Sequence, residues 1–204
     1  DIGEAVAFKG IAEGVENSAF VDLANESGLD YIIGDERDVL SRLIECGKHA
    51  GATDIFRVTT ESPFFYFESV ESAFARHVED GNDLTTTEGL PDGANFEIFR
   101  MEALQRSHDH GDARHRSEYC GLYIREHRGE FKVDVLPIPD AVRRPELRLT
   151  VDNPEDLVLC RAVFEQFQDQ APRVPIEEVI QYLDTRDDLK QLVAPFVEDI
   201  QFWT

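Results

Sequence analysis

Short apolar runs alternate along the chain with stretches whose apolar positions recur every three or four residues. That alternation predicts strands and helices in turn. AVAF (5–8) reads as a strand. Asn17 or Ser18 caps a helix running to about residue 27, with Phe20, Val21, Leu23 and Ala24 apolar and Gly28 as its stop. DYIIG (30–34) is a short strand. Asp35 caps the next helix, 38–51, which carries Val39, Leu40, Leu43, Ile44 and Ala50 on or near one face. DIFRVT (54–59) is a strand, and 62–80 opens with a proline turn and continues as a helix.

The order βαβαβα predicts an α/β fold: a parallel sheet with helices on its faces. GANFEIFR (93–100) and FKVDVLPI (131–138) alternate as strands do, while MEALQRSHDHG and RHRSEYCGLYIREHRG read as helical. LRLTV (147–151) reads as a compact buried strand. NPEDLVLCRAVFEQF (153–167) is a helix with Pro154 in its first turn. The chain divides into a main α/β domain, 1–170, and a helical extension, 171–204, with Pro172 and Pro175 at the joint.

Composition sharpens this picture. No run approaches the roughly 18 apolar residues of a membrane span, so no membrane partner is expected. The first residues lack the basic start and long apolar stretch of a signal peptide. Cys46, Cys120 and Cys160 lie far apart, as buried free thiols of a reducing compartment would. The charge is more unusual: 42 acids face 20 bases, for a formal net charge of −22. Only Lys9, Lys48, Lys132 and Lys190 are lysines. The acids are scattered through a chain with a full aromatic complement, unlike an acidic disordered tail. Such a surface suits a halophile's cytoplasm, where self-repulsion is screened over about 3 Å or less. Loss of stability on moving from molar KCl to dilute buffer is the expected outcome, checked by thermal melting. With no basic patch, nucleic acid is excluded as a partner.

Ligands of open parallel sheets bind beyond the carboxyl ends of the strands. Two strand ends carry acids: Glu61 in RVTTESP and Asp152 in LTVDNPED. Facing one crevice, these carboxylates make a hard oxygen site of the kind that suits magnesium with substrate phosphates and water. Asp152 could instead cap the helix that follows it. Glu155 and Asp156 suit the positive helix N-terminus and read as structural. Arg114, His115 and Arg116 form the chain's one basic cluster, able to hold phosphate or carboxylate oxygens, or else to pair with local acids. His115 is also a candidate base for a sugar hydroxyl. His108 and His110 read as a polar helix end.

GDERDVLSRL (34–43), FRVTTESPFF (56–65), GANFEIF (93–99), RHRSEYC (114–120) and LRLTVDNPEDL (147–157) occur in one order. Together they resemble the sugar-acid cytidylyltransferase superfamily, which makes CMP-activated sialic-type and octulosonic acids, and within it the SpsF-like spore-coat polysaccharide branch. The resemblance covers about residues 16–167. It implies a three-layer αβα, nucleotide-diphospho-sugar-transferase-like fold with a mostly parallel sheet. It implies transfer of CMP from CTP to a sugar acid, with release of pyrophosphate, and a homodimer. Mg2+ would sit on Asp152 and Glu61, the latter where the family usually has aspartate. Gly93, Asn95 and Glu97 would line the sugar side, with Arg114 and His115 as further substrate contacts and Arg116 as a catalytic cation. The family's A-R-x-x-S-x-R-x-P-x-K loop, which grips the CTP phosphates, has no counterpart in these residues, so the fold is expected to be N-terminally incomplete. That leaves open an inactive sugar-binding or dimerisation module, or a hexose-1-phosphate nucleotidyltransferase.

Overall fold

The computed structural model describes residues 5–197 and 203. Two compact units alternate along the chain. The first comprises the described residues up to Ile55 with 77–84 and 98–133; the second comprises 56–76, 85–97 and the described residues from 134 onward.

The first unit opens with β1 (Phe8–Ala12), α1 (Ser18–Ser27), β2 (Asp30–Gly34) and α2 (Val39–Ala50). β1 and β2 pair in parallel, Phe8 opposite Asp30 through Ala12 opposite Gly34. The first strand thus begins at Phe8, where AVAF was expected to end. Gly28 stops α1 in the left-handed region at φ 66°, its N–H bonding back to Ala24 and Asn25. The N-cap of α2 is Asp38, not Asp35: the Asp38 carboxylate accepts from Ser41 N–H at 2.8 Å. Asp35 instead accepts from Arg37 and Asp38 N–H and shapes the turn before the helix. Leu40 and Ile44, one turn apart, bury the inner face of α2.

A separate four-stranded sheet has the order β3–β5–β4–β6, from β3 (Asp54–Arg57), β4 (Leu84–Thr87), β5 (Glu97–Arg100) and β6 (Val133–Leu136). So βαβαβα does not build one continuous sheet: β1 and β2 stand in their own pair. The interior strand β4 escaped the hydrophobic pattern because its sequence is LTTT. All four residues are buried. β-branched threonines suit a sheet, and their hydroxyls are satisfied: Thr86 donates to the Phe96 carbonyl at 2.9 Å and Thr87 to Asn95 Oδ1 at 3.0 Å.

α3 (Val70–Asp80) begins later than expected, after an irregular stretch and a 3-10 turn at Phe67–Ser69. α4 (Met101–His110) is as read. RHRSEYCGLYIREHRG is not one helix. A 3-10 turn, Ala113–Arg116, gives way to an extended Ser117, and only Leu122–Glu126 (α5) is α-helical. LRLTV is buried as expected but is not a regular strand; it makes a single parallel bridge, Asp92 with Arg148. α6 (Pro154–Gln166) follows, then α7 (Ile176–Asp184) and α8 (Asp187–Val193).

The core of the second unit joins Leu147, Leu149, Leu159 and Val163 to Ile176, Val179, Ile180, Leu183 and Leu189. α7 and α8 therefore contribute to this core; each such side chain stabilises by about 1.5–3 kcal/mol on burial. All three cysteines are buried free thiols, and burial pushes the Cys160 thiol up to about 12. Among the described residues no helix is long and apolar enough to cross a membrane.

Candidate functional site

In the second unit, residues 147–152 run between two other segments. On one side Asp92 N–H donates to the Leu147 carbonyl at 2.9 Å, and Leu149 N–H donates to the Asp92 carbonyl at 2.7 Å. On the other side Val151 N–H donates to the Glu61 carbonyl at 2.9 Å. The main chain of Glu61 is thereby fixed beside the residue that precedes Asp152. Both acids are exposed.

Gly93 belongs to this arrangement for a backbone reason. It sits at φ 85°, and a Cβ there would lie 2.6 Å from Thr150 N. Only glycine allows the 91–94 turn to approach 149–150 this closely.

Asp152 does not cap α6. Asn153 does, in a capping box with Asp156. Asp156 is fully buried and accepts from Asp152 N–H, Asn153 N–H and the Asn153 amide, at 3.1, 2.9 and 3.1 Å. Burial pushes its carboxyl up, but Arg148 and these N–H groups outweigh burial and hold it below the usual value. The Asp152 carboxylate is left pointing elsewhere. It lies 2.6 Å from Arg148 and its side chain is 51% exposed.

Arg148 is the residue that sequence reasoning passed over. Its side chain is 7% exposed, and it bonds Asp156 at 2.8 and 3.1 Å, Asp92 at 2.6 Å and Asp152 at 2.6 Å. The signal was present: an arginine inside an apolar run must bring its own partners, and acids stand four and eight residues further on. Asp92 has no such local signature, since the chain returns to it from 56 residues away.

The expected sugar-side residues lie nearby in sequence and in the same unit. Asn95 is exposed and accepts from Thr87. Glu97 is half-buried and paired with Arg57 at 2.6 Å.

The basic cluster lies in the first unit, in a network of its own. Arg114 grips Glu126 with two bonds of 2.7 Å. His115 is buried, its Nε2 2.9 Å from Glu126 and its Nδ1 accepting from Asp112 N–H at 3.0 Å. Arg116 reaches the His108 carbonyl at 3.4 Å and lies 3.7 Å from Asp38, on which His108 also converges at 2.9 Å.

The Glu61 and Asp152 carboxylates are oxygen donors of the type that would suit a hard ion completing its shell with phosphate and water. Among the described residues, no three histidines, cysteines, aspartates or glutamates are arranged to hold a metal by themselves.

No protein-family model matches the chain. It is 28% identical over 172 residues to the spore coat polysaccharide biosynthesis protein SpsF of Bacillus subtilis, covering 80% of this chain and 68% of that protein. It is 27% identical over 177 residues to an uncharacterized protein of Methanocaldococcus jannaschii, covering 87% and 72%. A cytidylyltransferase structure from Leptospira borgpetersenii superposes with a TM-score of 0.78 at 16% identity, over 95% of this chain and 79% of that one.

The chain resembles SpsF in sequence and a cytidylyltransferase in fold. A CMP:2-keto-3-deoxy-manno-octonic acid synthetase complexed with CTP also superposes, at a TM-score of 0.58 and 13% identity, over 80% and 82%. At such identities the two solved structures speak for fold alone. That fold is α/β, as the residue pattern predicts, and cytidylyltransferase-like, as the family resemblance implies.

Proposed function

We propose that this protein is a cytidylyltransferase that joins CMP from CTP to a sugar acid, feeding the synthesis of a surface polysaccharide or related glycan. The observation that carries the reading is the Val151-to-Glu61 hydrogen bond, which holds the two acid-bearing segments side by side. SpsF, by its name a spore coat polysaccharide biosynthesis protein, supports the pathway class.

The hydroxyl oxygen of the sugar attacks the α-phosphorus and forms the new P–O bond. The bond from that phosphorus to the bridging oxygen breaks, pyrophosphate leaves with the electron pair, and the hydroxyl proton passes to solvent or a base. Asp152 and Glu61 would hold Mg2+, which supplies charge neutralisation on the phosphates. Asn95 and Glu97 would hydrogen-bond sugar hydroxyls. Arg114, His115 and Arg116 would take anionic oxygens, which requires Arg114 to exchange Glu126 for substrate. A homodimer is part of the proposal.

The test is pyrophosphate release from CTP with a panel of octulosonic and nonulosonic acids and hexose 1-phosphates in molar KCl, repeated with UTP, GTP and dTTP. Turnover with CTP and one sugar acid is the expected result. Turnover only with another nucleotide and a hexose 1-phosphate would replace this reading.

A further inference from the structure

Arg148 has two different faces. Toward the interior it meets Asp156, a fully buried acid that is also locked by the N-terminus of α6. Toward the rim it meets Asp92 and Asp152, whose side chains are 49% and 51% exposed. The inner pair accounts for why a charge can be buried there, since Arg148 and Asp156 desolvate as partners. It does not account for the outer contacts. Two half-exposed carboxylates from distant segments repel each other and would turn to water on their own. A guanidinium cannot lose its proton, and its planar fork fixes oxygens in direction as well as distance. So it holds both acids, 2.6 Å from separate nitrogens, in a preset arrangement.

We infer that Arg148 is a positioning residue: it occupies the place of a cation between Asp92 and Asp152, orients Asp152 for a divalent ion, and brings Asp92 into the same site. This rests on the reading of Asp152 as an ion ligand. Because its fixed positive charge sits beside that ligand, Arg148 also weakens binding of the bare ion. Asp152 would therefore take an ion already carried by the triphosphate, whose charge outweighs the repulsion.

The experiment is Mn2+ titration of the protein without nucleotide, followed by electron paramagnetic resonance at one fixed salt concentration. The series is wild type, Arg148→Lys, the double variant Arg148→Met/Asp156→Asn, Asp92→Asn and Asp152→Asn. The double variant removes the buried pair together, so no lone charge is left to unfold the protein. Its Mn2+ affinity is expected to rise about tenfold or more. Asp152→Asn should lose Mn2+ binding, and Asp92→Asn should weaken it severalfold. Arg148→Lys keeps the charge but not the fork, so its Mn2+ affinity should fall severalfold, as in Asp92→Asn. In the CTP assay, Arg148→Lys should lower kcat more than it raises KM. A folded double variant with wild-type Mn2+ affinity, or an Arg148→Lys enzyme with wild-type kcat, would overturn the role of Arg148 while leaving Asp152 as ligand. Unchanged Mn2+ affinity in Asp152→Asn would instead remove the ion site on which the inference stands.

Discussion

Arg148 and Arg114 both grip carboxylates with short bonds, yet they are opposite kinds of arginine. Arg148 is buried and touches three acids, one of them fully buried. Arg114 has a 61% exposed side chain and one bidentate partner, Glu126, itself 29% exposed. The first pairing commits its charge: removing the buried partner, Asp156, leaves an uncompensated group in a low-dielectric setting. The second is screened by water and ions and can open at little cost. An exposed pair of that kind can exchange its carboxylate for a substrate anion, whereas the buried cluster can only hold something else in place. Proximity of opposite charges does not separate binding from positioning; burial does.

The contrast is broken most severely at Asp152. Asp152→Asn keeps size and leaves the Arg148–Asp156 pair intact, so fold and melting temperature should hold. Activity should fall by about 10²- to 10³-fold, as when other preorganised electrostatic contacts are lost. Steady-state pyrophosphate release beside a circular dichroism melt checks both halves. Retained activity would move the chemistry away from this rim.

Asp156→Ala comes next and acts on stability. It leaves the Arg148 guanidinium buried without its inner partner and removes a capping box. The expected loss is about 3–5 kcal/mol, most of it from the orphaned charge, read as a lower urea midpoint with unchanged slope. A loss below about 1 kcal/mol would mean that Arg148 swings to solvent, and the distinction from Arg114 would collapse.

How much of this could be read beforehand follows the range of each interaction. α1, β2, α2 and α6 were legible because a helix or strand announces itself through its own residues and caps, as Gly28 and Pro154 do. β4 was not, because LTTT hides a buried strand behind hydroxyls whose partners include Phe96 and Asn95, ten and eight residues further on. LRLTV was read correctly as buried and wrongly as a strand: burial is written in its leucines, whereas its partners, Asp92 and Glu61, are remote. The same limit applies at the site. Glu61 and Asp152 stand out as acids at the ends of apolar runs. Arg148 and Asp92 acquire meaning only once the chain brings them together, and the basic run at 114–116 stood out because it is local.

The first unit has a buried pair to set beside Arg148–Asp156. His77 is fully buried and its Nε2 lies 3.2 Å from Asp54, whose side chain is 15% exposed. The His77 hydrogen bond, with burial opposing it, holds the Asp54 carboxyl below its ordinary 3.8. A depressed folded value means that this stabilisation is complete above the unfolded value and is lost as pH falls through the folded one. Stability should therefore decline below about pH 4, and Asp54→Asn should flatten that part of the curve. Urea midpoints from pH 5 to pH 2.5 would show it; parallel curves for wild type and variant would exclude Asp54 as a source.

The smallest effect belongs to Arg114, and it tests the exposed side of the contrast. Arg114→Ala removes two bonds to Glu126, but Glu126 keeps the His115 ring at 2.9 Å and stays in reach of water. The melting temperature should not shift measurably. If the guanidinium serves an anionic substrate instead, KM for CTP or for the sugar acid should rise severalfold with kcat nearly unchanged, the pattern of lost uniform binding. Arg114→Lys should restore part of that, because a point charge keeps attraction without the fork. A marked fall in stability would place Arg114 with Arg148 among the committed charges, and an unchanged KM would leave it a surface ion pair.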